Sequence, residues 1–260
     1  MKITILSDAQ AGQGFQSEHG LSYYIESDQK KLLFDTGASD LFMKNAKRAG
    51  IDLDQIDMAV LSHGHFDHGD GLPFVRHTTL VCHPGCFVRR YRKVGNKYLG
   101  ISLHANEIRE RFDLQTSKEP VKLTEHLYFL GEIPRLLDFE SWKTPYVLEN
   151  GEDDMITDDS GLAAVTDQGL VVVSGCAHSG ICNMIAYAKE VTGMKDVEAV
   201  IGGFHLKDAG ERTRETIRWI RDAGIRRVYP SHCTMHPALG MFHETFGHHE
   251  VLVGGEYAFQ

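Results

Sequence analysis

Apolar and polar positions alternate from the second residue onward. Residues 2–7, Lys-Ile-Thr-Ile-Leu-Ser, carry the period of two expected of a half-buried strand. Residues 9–20 are rich in Gly, Gln and Ser and read as a loop. Two apolar runs, 21–25 and 31–34, then bracket Asp28-Gln29 and predict a hairpin. Leu41, Phe42, Asn45, Ala46 and Ala49 recur at helical spacing, which places a helix over residues 40–49, ending at Gly50. Short buried strands follow at 57–61 and 78–82. Residues 98–155 carry little periodicity; one or two strands are expected within 121–130, and the rest reads as a long excursion suited to a substrate wall or lid. Order returns with a hairpin, 161–166 and 170–173 around Asp167-Gln168-Gly169. A helix after Gly180, a strand at 197–201, a helix at 211–223, a strand at 227–229 and a last strand at 250–254 complete the pattern. No stretch is rich enough in Pro, Ser or charge to be a linker, so one domain over 1–260 is expected.

Several of these strands end in reactive side chains. The strand at 57–61 runs into Ser62-His63-Gly64-His65-Phe66-Asp67-His68-Gly69, a Gly-rich turn holding three imidazoles and a carboxylate. Each would need a polar partner if buried, and a cation is a partner that all four can share. The strand ending at Val173 delivers Cys176 and His178, the one ending at Ile201 delivers Phe204 and His205, and the one ending at Tyr229 delivers His232, with His236 close behind. His178 is placed like a ligand. Cys176 reads first as a small buried side chain, the commonest case, and otherwise as a thiolate nucleophile or a soft metal ligand. Asp35, just after the strand at 31–34, suits either a carboxylate orienting a ligating histidine or a simple turn or helix cap. His83, beside a proline, reads as structural or solvated before it reads as functional. His243, His248 and His249 fit surface helix or loop.

Composition adjusts this picture in three ways. A formal charge of -9 excludes broad nucleic-acid or anionic-membrane binding while leaving room for a small anionic substrate at a local cluster of bases. Such a cluster exists in Arg89, Arg90, Arg92 and Lys93, which reads as a solvated face or as an anion-collecting rim. The five cysteines are odd in number and form no CxxC pair, and the N-terminus lacks the order of a signal peptide; both fit a reducing cytoplasmic setting. No apolar run approaches membrane-spanning length. The oligomeric state is left open.

The His63-Gly64-His65-Phe66-Asp67-His68 run resembles the HxHxDH motif of the metallo-beta-lactamase superfamily. Glu18-His19-Gly20-Leu21-Ser22, Leu33-Phe34-Asp35-Thr36-Gly37, Gly175 to Gly180, Gly202 to Leu206 and Pro230 to Thr234 resemble the branch that contains an archaeal dihydropterin-aminobenzene phosphate synthase. This resemblance implies an α/β fold, a four-layer alpha-beta-beta-alpha sandwich of two mixed sheets with outer helices, and a metal site along one edge. Carried over, it implies one metal on His63 and His65, a second on Asp67 and His68, and completion of the set by His178 and His232. The superfamily's bridging Asp has no counterpart after Gly175, where Cys176 stands, and Asp158 or Asp159 lies upstream where a histidine is usual. His205 is a rival ligand or a substrate-facing acid.

The chemistry expected is metal-dependent hydrolysis through an activated water. Zinc is the first choice from the donor set, and manganese or iron are the alternatives. Asp67 would orient or deprotonate the water, His205 would protonate a leaving group, and Arg89, Arg90, Arg92, Lys93 and Phe204 would contact a small, phosphate-bearing substrate. Group transfer resembling the synthase, with loss of diphosphate and attack by an aromatic carbon, is the alternative. A non-catalytic metal-binding protein is a third class.

Overall fold

The computed structural model describes residues 1–140 and 143–260. Its first half contains β1 (Lys2–Ser7), β2 (Ser22–Ser27), β3 (Lys30–Phe34), α1 (Leu41–Arg48), β4 (Met58–Val60), the one-turn α2 (Phe66–Gly69), β5 (Thr79–Cys82), β6 (Arg90–Arg92), α3 (Ala105–Arg111) and β7 (Asp113–Thr116). The second half follows with β8 (Val121–Lys122), β9 (Leu127–Phe129), β10 (Tyr146–Leu148), β11 (Gly161–Thr166), β12 (Gly169–Ser174), α4 (Ile181–Thr192), β13 (Val197–Gly203), α5 (Glu211–Asp222), β14 (Arg227–Ser231), α6 (His236–Phe246) and β15 (Glu256–Ala258). One mixed sheet has the order β15-β1-β2-β3-β4-β5-β7 and the other β14-β13-β12-β11-β9-β8.

The alternation of side chains along each strand explains why the sheets stack. Ile3, Ile5, Tyr23, Ile25, Leu32, Phe34 and Val60 of the first sheet meet Phe129, Leu162, Val171, Val173 and Ile201 of the second in one buried core. The opposite faces are apolar too and need cover. Leu6, Leu33 and Ala59 pack under Phe42 and Ala46 of α1 and Ile108 of α3. Val172 and Val200 pack under Ile185 of α4, Ile220 of α5 and Phe242 of α6. Helix, sheet, sheet and helix therefore form the four layers implied by the family resemblance. No helix among the described residues is long and apolar enough to cross a membrane.

Two expectations change. Residues 250–254 form no strand; the C-terminal strand is β15, which pairs with β1 through Lys2 and Ala258. Val251 and Val253 still reach the core, so their apolar spacing is satisfied by burial, and Gly254, with φ of 86°, turns the chain before pairing begins. The excursion at 98–155 is also more regular than its pattern suggested. It supplies α3, β7, β8 and β9, and its β10 pairs with β6 in a separate two-stranded ribbon that sets Tyr146 opposite Arg92.

Candidate metal centre

Strand ends of both sheets converge on one edge of the sandwich. Among the described non-glycine residues with positive φ are Asp35 (57°), Ala177 (50°), His205 (49°) and His232 (52°), each just beyond the end of β3, β12, β13 or β14. This left-handed conformation is costly for side chains carrying a Cβ, and it turns each strand sharply at the same edge. Gly64 and Gly175 complete the approach: a Cβ on the first would collide with the Cys86 carbonyl, and one on the second with the Ser62 hydroxyl.

The motif loop is held from beneath. Asp35, fully buried, accepts the Ser62 backbone N–H at 2.7 Å and the Ser62 hydroxyl at 2.6 Å, and pairs with His68 Nδ1 at 2.7 Å. The Ser62 oxygen also faces His63 Nδ1 at 2.9 Å. With both Nδ1 atoms engaged, His63 and His68 turn Nε2 inward. There, nitrogen meets nitrogen. His63 Nε2 lies 2.8 Å from His65 Nδ1, and His68 Nε2 lies 3.1 Å from His232 Nε2 and 3.2 Å from Cys176 Sγ. Asp67 Oδ2 sits 3.6 Å from His232 Nε2 and 4.0 Å from His68 Nε2.

The donor atoms fall into overlapping groups. His63, His65 and His178 form one, and Asp67, His68 and His232 another. Cys176 joins a third with His63 and His68 and a fourth with His232 and Cys233, so its sulfur lies between the two triads. All are buried, and His65 Nε2, His178 Nε2 and His232 Nδ1 have no hydrogen-bond partner among the described residues. Burial first, then the neighbouring imidazoles and Arg90, hold the pKa values of His63, His65 and His178 well below the usual histidine range; burial and the His68 charge do the same for His232. These rings are therefore neutral donors. For His68 burial also opposes charge, but Asp35 and Asp67 outweigh it and raise the pKa to about 9. Neutral imidazoles, a carboxylate and a thiol facing one another across short distances are a donor set suited to one or two divalent cations, and buried ring nitrogens without partners are what such ions would satisfy.

All six ligands expected from the sequence are thus brought together. Asp158 and Asp159 are not among them. Asp158 accepts the Gly64 N–H at 2.7 Å and pairs with Arg90, while Asp159 accepts the Ser179 N–H at 2.9 Å. Cys176 occupies the central place left open. His83 accepts the Gly85 N–H at 3.0 Å and lies 3.3 Å from Glu132, a turn-capping role.

The expected substrate contacts need correction. Arg90 is 1% exposed and its guanidinium is enclosed by Asp154 and Asp158, so it braces the Gly64 turn and cannot meet a substrate. Phe204 is fully buried and packs edge-on against Phe242 under α6. Arg89 pairs with Glu149 at 3.0 Å and Lys93 with Asp153 at 2.7 Å, so acidic neighbours absorb both charges. Of the basic run only Arg92 lines the cleft above the metal ligands. That cleft, about 130 Å³, is also walled by His19, Tyr146, His205, Lys207 and Met235. His19 reaches Asp67 Oδ2 at 3.2 Å, and Glu18 fixes its loop by accepting the Ala38 N–H and the Ser39 hydroxyl. Tyr146 was not singled out in the sequence; its hydroxyl lies 3.4 Å from His205 Nε2.

A profile of the metallo-beta-lactamase superfamily matches residues 18–86. The 7,8-dihydropterin-6-methyl-4-(beta-D-ribofuranosyl)-aminobenzene-5'-phosphate synthase of Methanocaldococcus jannaschii is 36% identical, with 95% of this chain and 92% of that protein aligned. The chain belongs to the metallo-beta-lactamase superfamily. An uncharacterized protein of the same organism is 30% identical across 97% of this chain and 99% of its own length. Among solved structures, Tm1679, described as a metal-dependent hydrolase of the beta-lactamase superfamily, superposes with a TM-score of 0.89 at 29% identity, covering 100% of this chain and 99% of that one. A diphosphatase of the PhnP family, at 15% identity and a TM-score of 0.61 over 100% of this chain and 98% of that one, shares the superfamily fold.

Asp35 touches no reacting atom, yet it holds His68. Replacing it in D35A should weaken metal binding by about 10- to 100-fold, read by competition with a chelator of known affinity. Breaking the Arg90 brace in R90A leaves Asp154 and Asp158 buried without a counter-ion and should lower stability by about 3–5 kcal/mol in urea unfolding.

Proposed function

We propose that this superfamily member is a metal-dependent hydrolase acting on a small, phosphate-bearing substrate. The observation that carries the reading is the pair of buried donor triads at the floor of a solvent-reaching cleft. A closed structural site would not need that opening. A divalent cation bound there, zinc by preference of imidazole, carboxylate and thiolate donors, supplies Lewis acidity and lowers the pKa of a water.

The chain's own groups then divide the remaining work. Asp67, 7% exposed at the cleft floor, orients the attacking water and receives its proton, while His19 steadies the carboxylate. His205 is a poor candidate for the acid expected from the sequence. Burial, followed by the charges of Lys207 and Arg212, lowers its pKa to about 3, so at neutral pH it is a neutral hydrogen-bonding group. Tyr146 is better placed to meet a leaving oxygen. Burial raises its pKa well above the usual phenol value, which keeps the proton on the hydroxyl, and His205 lies within reach of that oxygen. Arg92 and Lys207 attract the anionic substrate at the mouth.

A second reading, group transfer, draws on the 36% identity to a named synthase that spans nearly the whole chain. In that reaction an aromatic acceptor takes the place of water. The two differ in what the acceptor does. With metal-reconstituted protein and a dihydropterin diphosphate, hydrolysis predicts diphosphate release at the same rate with and without a ribosylated aminobenzene phosphate. Release only in its presence, with a joined product in mass spectrometry, would replace hydrolysis by transfer. Under either chemistry Y146F should lower kcat on the order of 10²-fold with metal content unchanged.

A further inference from the structure

Beside the metal cleft lies a second cavity of about 250 Å³, in the lower range for a ligand pocket. The two share a wall made of Tyr146, His178, His205 and Lys207. The second cavity is strongly cationic: Arg135, Lys143, Lys207 and Arg212 line it, against the single carboxylate of Asp208. That carboxylate is already engaged by the Gly210 N–H at 2.8 Å. Arg135 is fixed by donating to the His178 carbonyl at 3.0 Å and to the Met155 carbonyl. Lys143 and Lys207 make no ion pair among the described residues. Arg212 Nε and Nη2 are buried with no hydrogen-bond partner among the described residues, a costly state for a guanidinium unless a ligand completes it. Arg212 and Thr213 belong to the first turn of α5, whose partial positive charge adds to the same field. Four cations drawn from three separated segments thus line one cavity, with the buried Glu140 close enough to feel the charge of Arg212 but not lining the space itself.

We propose that this cavity binds a terminal phosphate of the substrate as a recognition handle, apart from the bond that reacts. The inference rests on the metal-dependent reading above and adds the substrate's anchoring group to it. A planar guanidinium fork beside two free ammonium groups matches a dianionic phosphate better than a singly charged carboxylate. The handle is not the group attacked. Of the six metal-ligand residues only His178 lines this cavity, while His65 and Asp67 belong to the neighbouring cleft. A substrate anchored here lies across the shared wall, with its reacting end over the triads. The anion-collecting role first read from Arg89, Arg90, Arg92 and Lys93 thereby stays with Arg92 at the cleft and otherwise passes to Arg135, Lys143, Lys207 and Arg212, none of which forms a basic run in the chain.

The test is calorimetric titration of the purified full-length protein with inorganic phosphate, and separately with acetate, before and after metal removal by chelation. Phosphate should bind more tightly than acetate and should still bind after chelation. R212Q and K207Q should each weaken phosphate binding at least tenfold with metal content and melting temperature unchanged; Lys207 is exposed, so its variant keeps the test open should R212Q fold poorly. Phosphate binding that vanishes with the metal, or that neither variant alters, would place the anion on the metal ions and overturn the proposal. Acetate binding as tightly as phosphate would overturn the choice of ligand. Should the metal-loaded protein hydrolyse no phosphate-bearing compound while phosphate binding still depends on Arg212, the hydrolase reading falls and the cavity assignment stands.

Discussion

A cluster of buried imidazoles has more ring nitrogens than its members can satisfy among themselves. His63 Nε2 with His65 Nδ1 at 2.8 Å, and His68 Nε2 with His232 Nε2 at 3.1 Å, can each share one proton, but His65 Nε2, His178 Nε2 and His232 Nδ1 stay buried with no partner among the described residues. Burial removes water as the remedy. A divalent cation is a partner suited to this deficit, and one held by these groups would tie His63, His65, Asp67 and His68 of the first half to His178 and His232 of the second. Metal binding and the closure of the site edge would then be one physical constraint.

The rest of the architecture reads as support for that edge. Inward-facing residues of both sheets make a rigid core, while the strained turns at Asp35, Ala177, His205 and His232 are confined to strand ends where that core can hold them. A layer of buried polar groups then holds several of the candidate ligands. Asp35 and Ser62 orient His68 and His63, Asp158 and Arg90 hold the Gly64 turn, and Asp159 holds the segment after His178. Asp8 accepts the His232 N–H at 2.9 Å and performs the same service on the far side. The walls of the cleft come from elsewhere, from Arg92 and Tyr146 of the β6–β10 ribbon and from His205 and Lys207 in the turn between β13 and α5.

Legibility in the sequence followed periodicity. The strands at 2–7, 161–166 and 170–173, the first hairpin and the helices near 40–49 and 211–223 could be read because one face of each is buried, which imposes a period. The motif histidines, His178 and His232 were visible because they come directly after apolar runs. What could not be read depends on contacts between distant segments. Arg90 looks like a surface base until Asp154 and Asp158, more than sixty residues later, enclose it. Phe204 looks like part of a site because its neighbour His205 is, but successive residues beyond a strand point opposite ways, and Phe204 points into the α6 layer. Tyr146 lies where the pattern is weakest, since a two-stranded ribbon half open to solvent imposes little alternation. The Arg135, Lys143, Lys207 and Arg212 group has no local signature at all.

The most direct check of the central claim is an anomalous-difference map from crystals of the purified, metal-replete protein, recorded on both sides of the absorption edge of the metal it contains. The donor geometry predicts density bonded to ligands from both halves of the chain, within reach of His63, His65 and His178 on one side and of Asp67, His68 and His232 on the other, with Cys176 between. A metal-replete, active protein whose anomalous density lies away from both triads would contradict it.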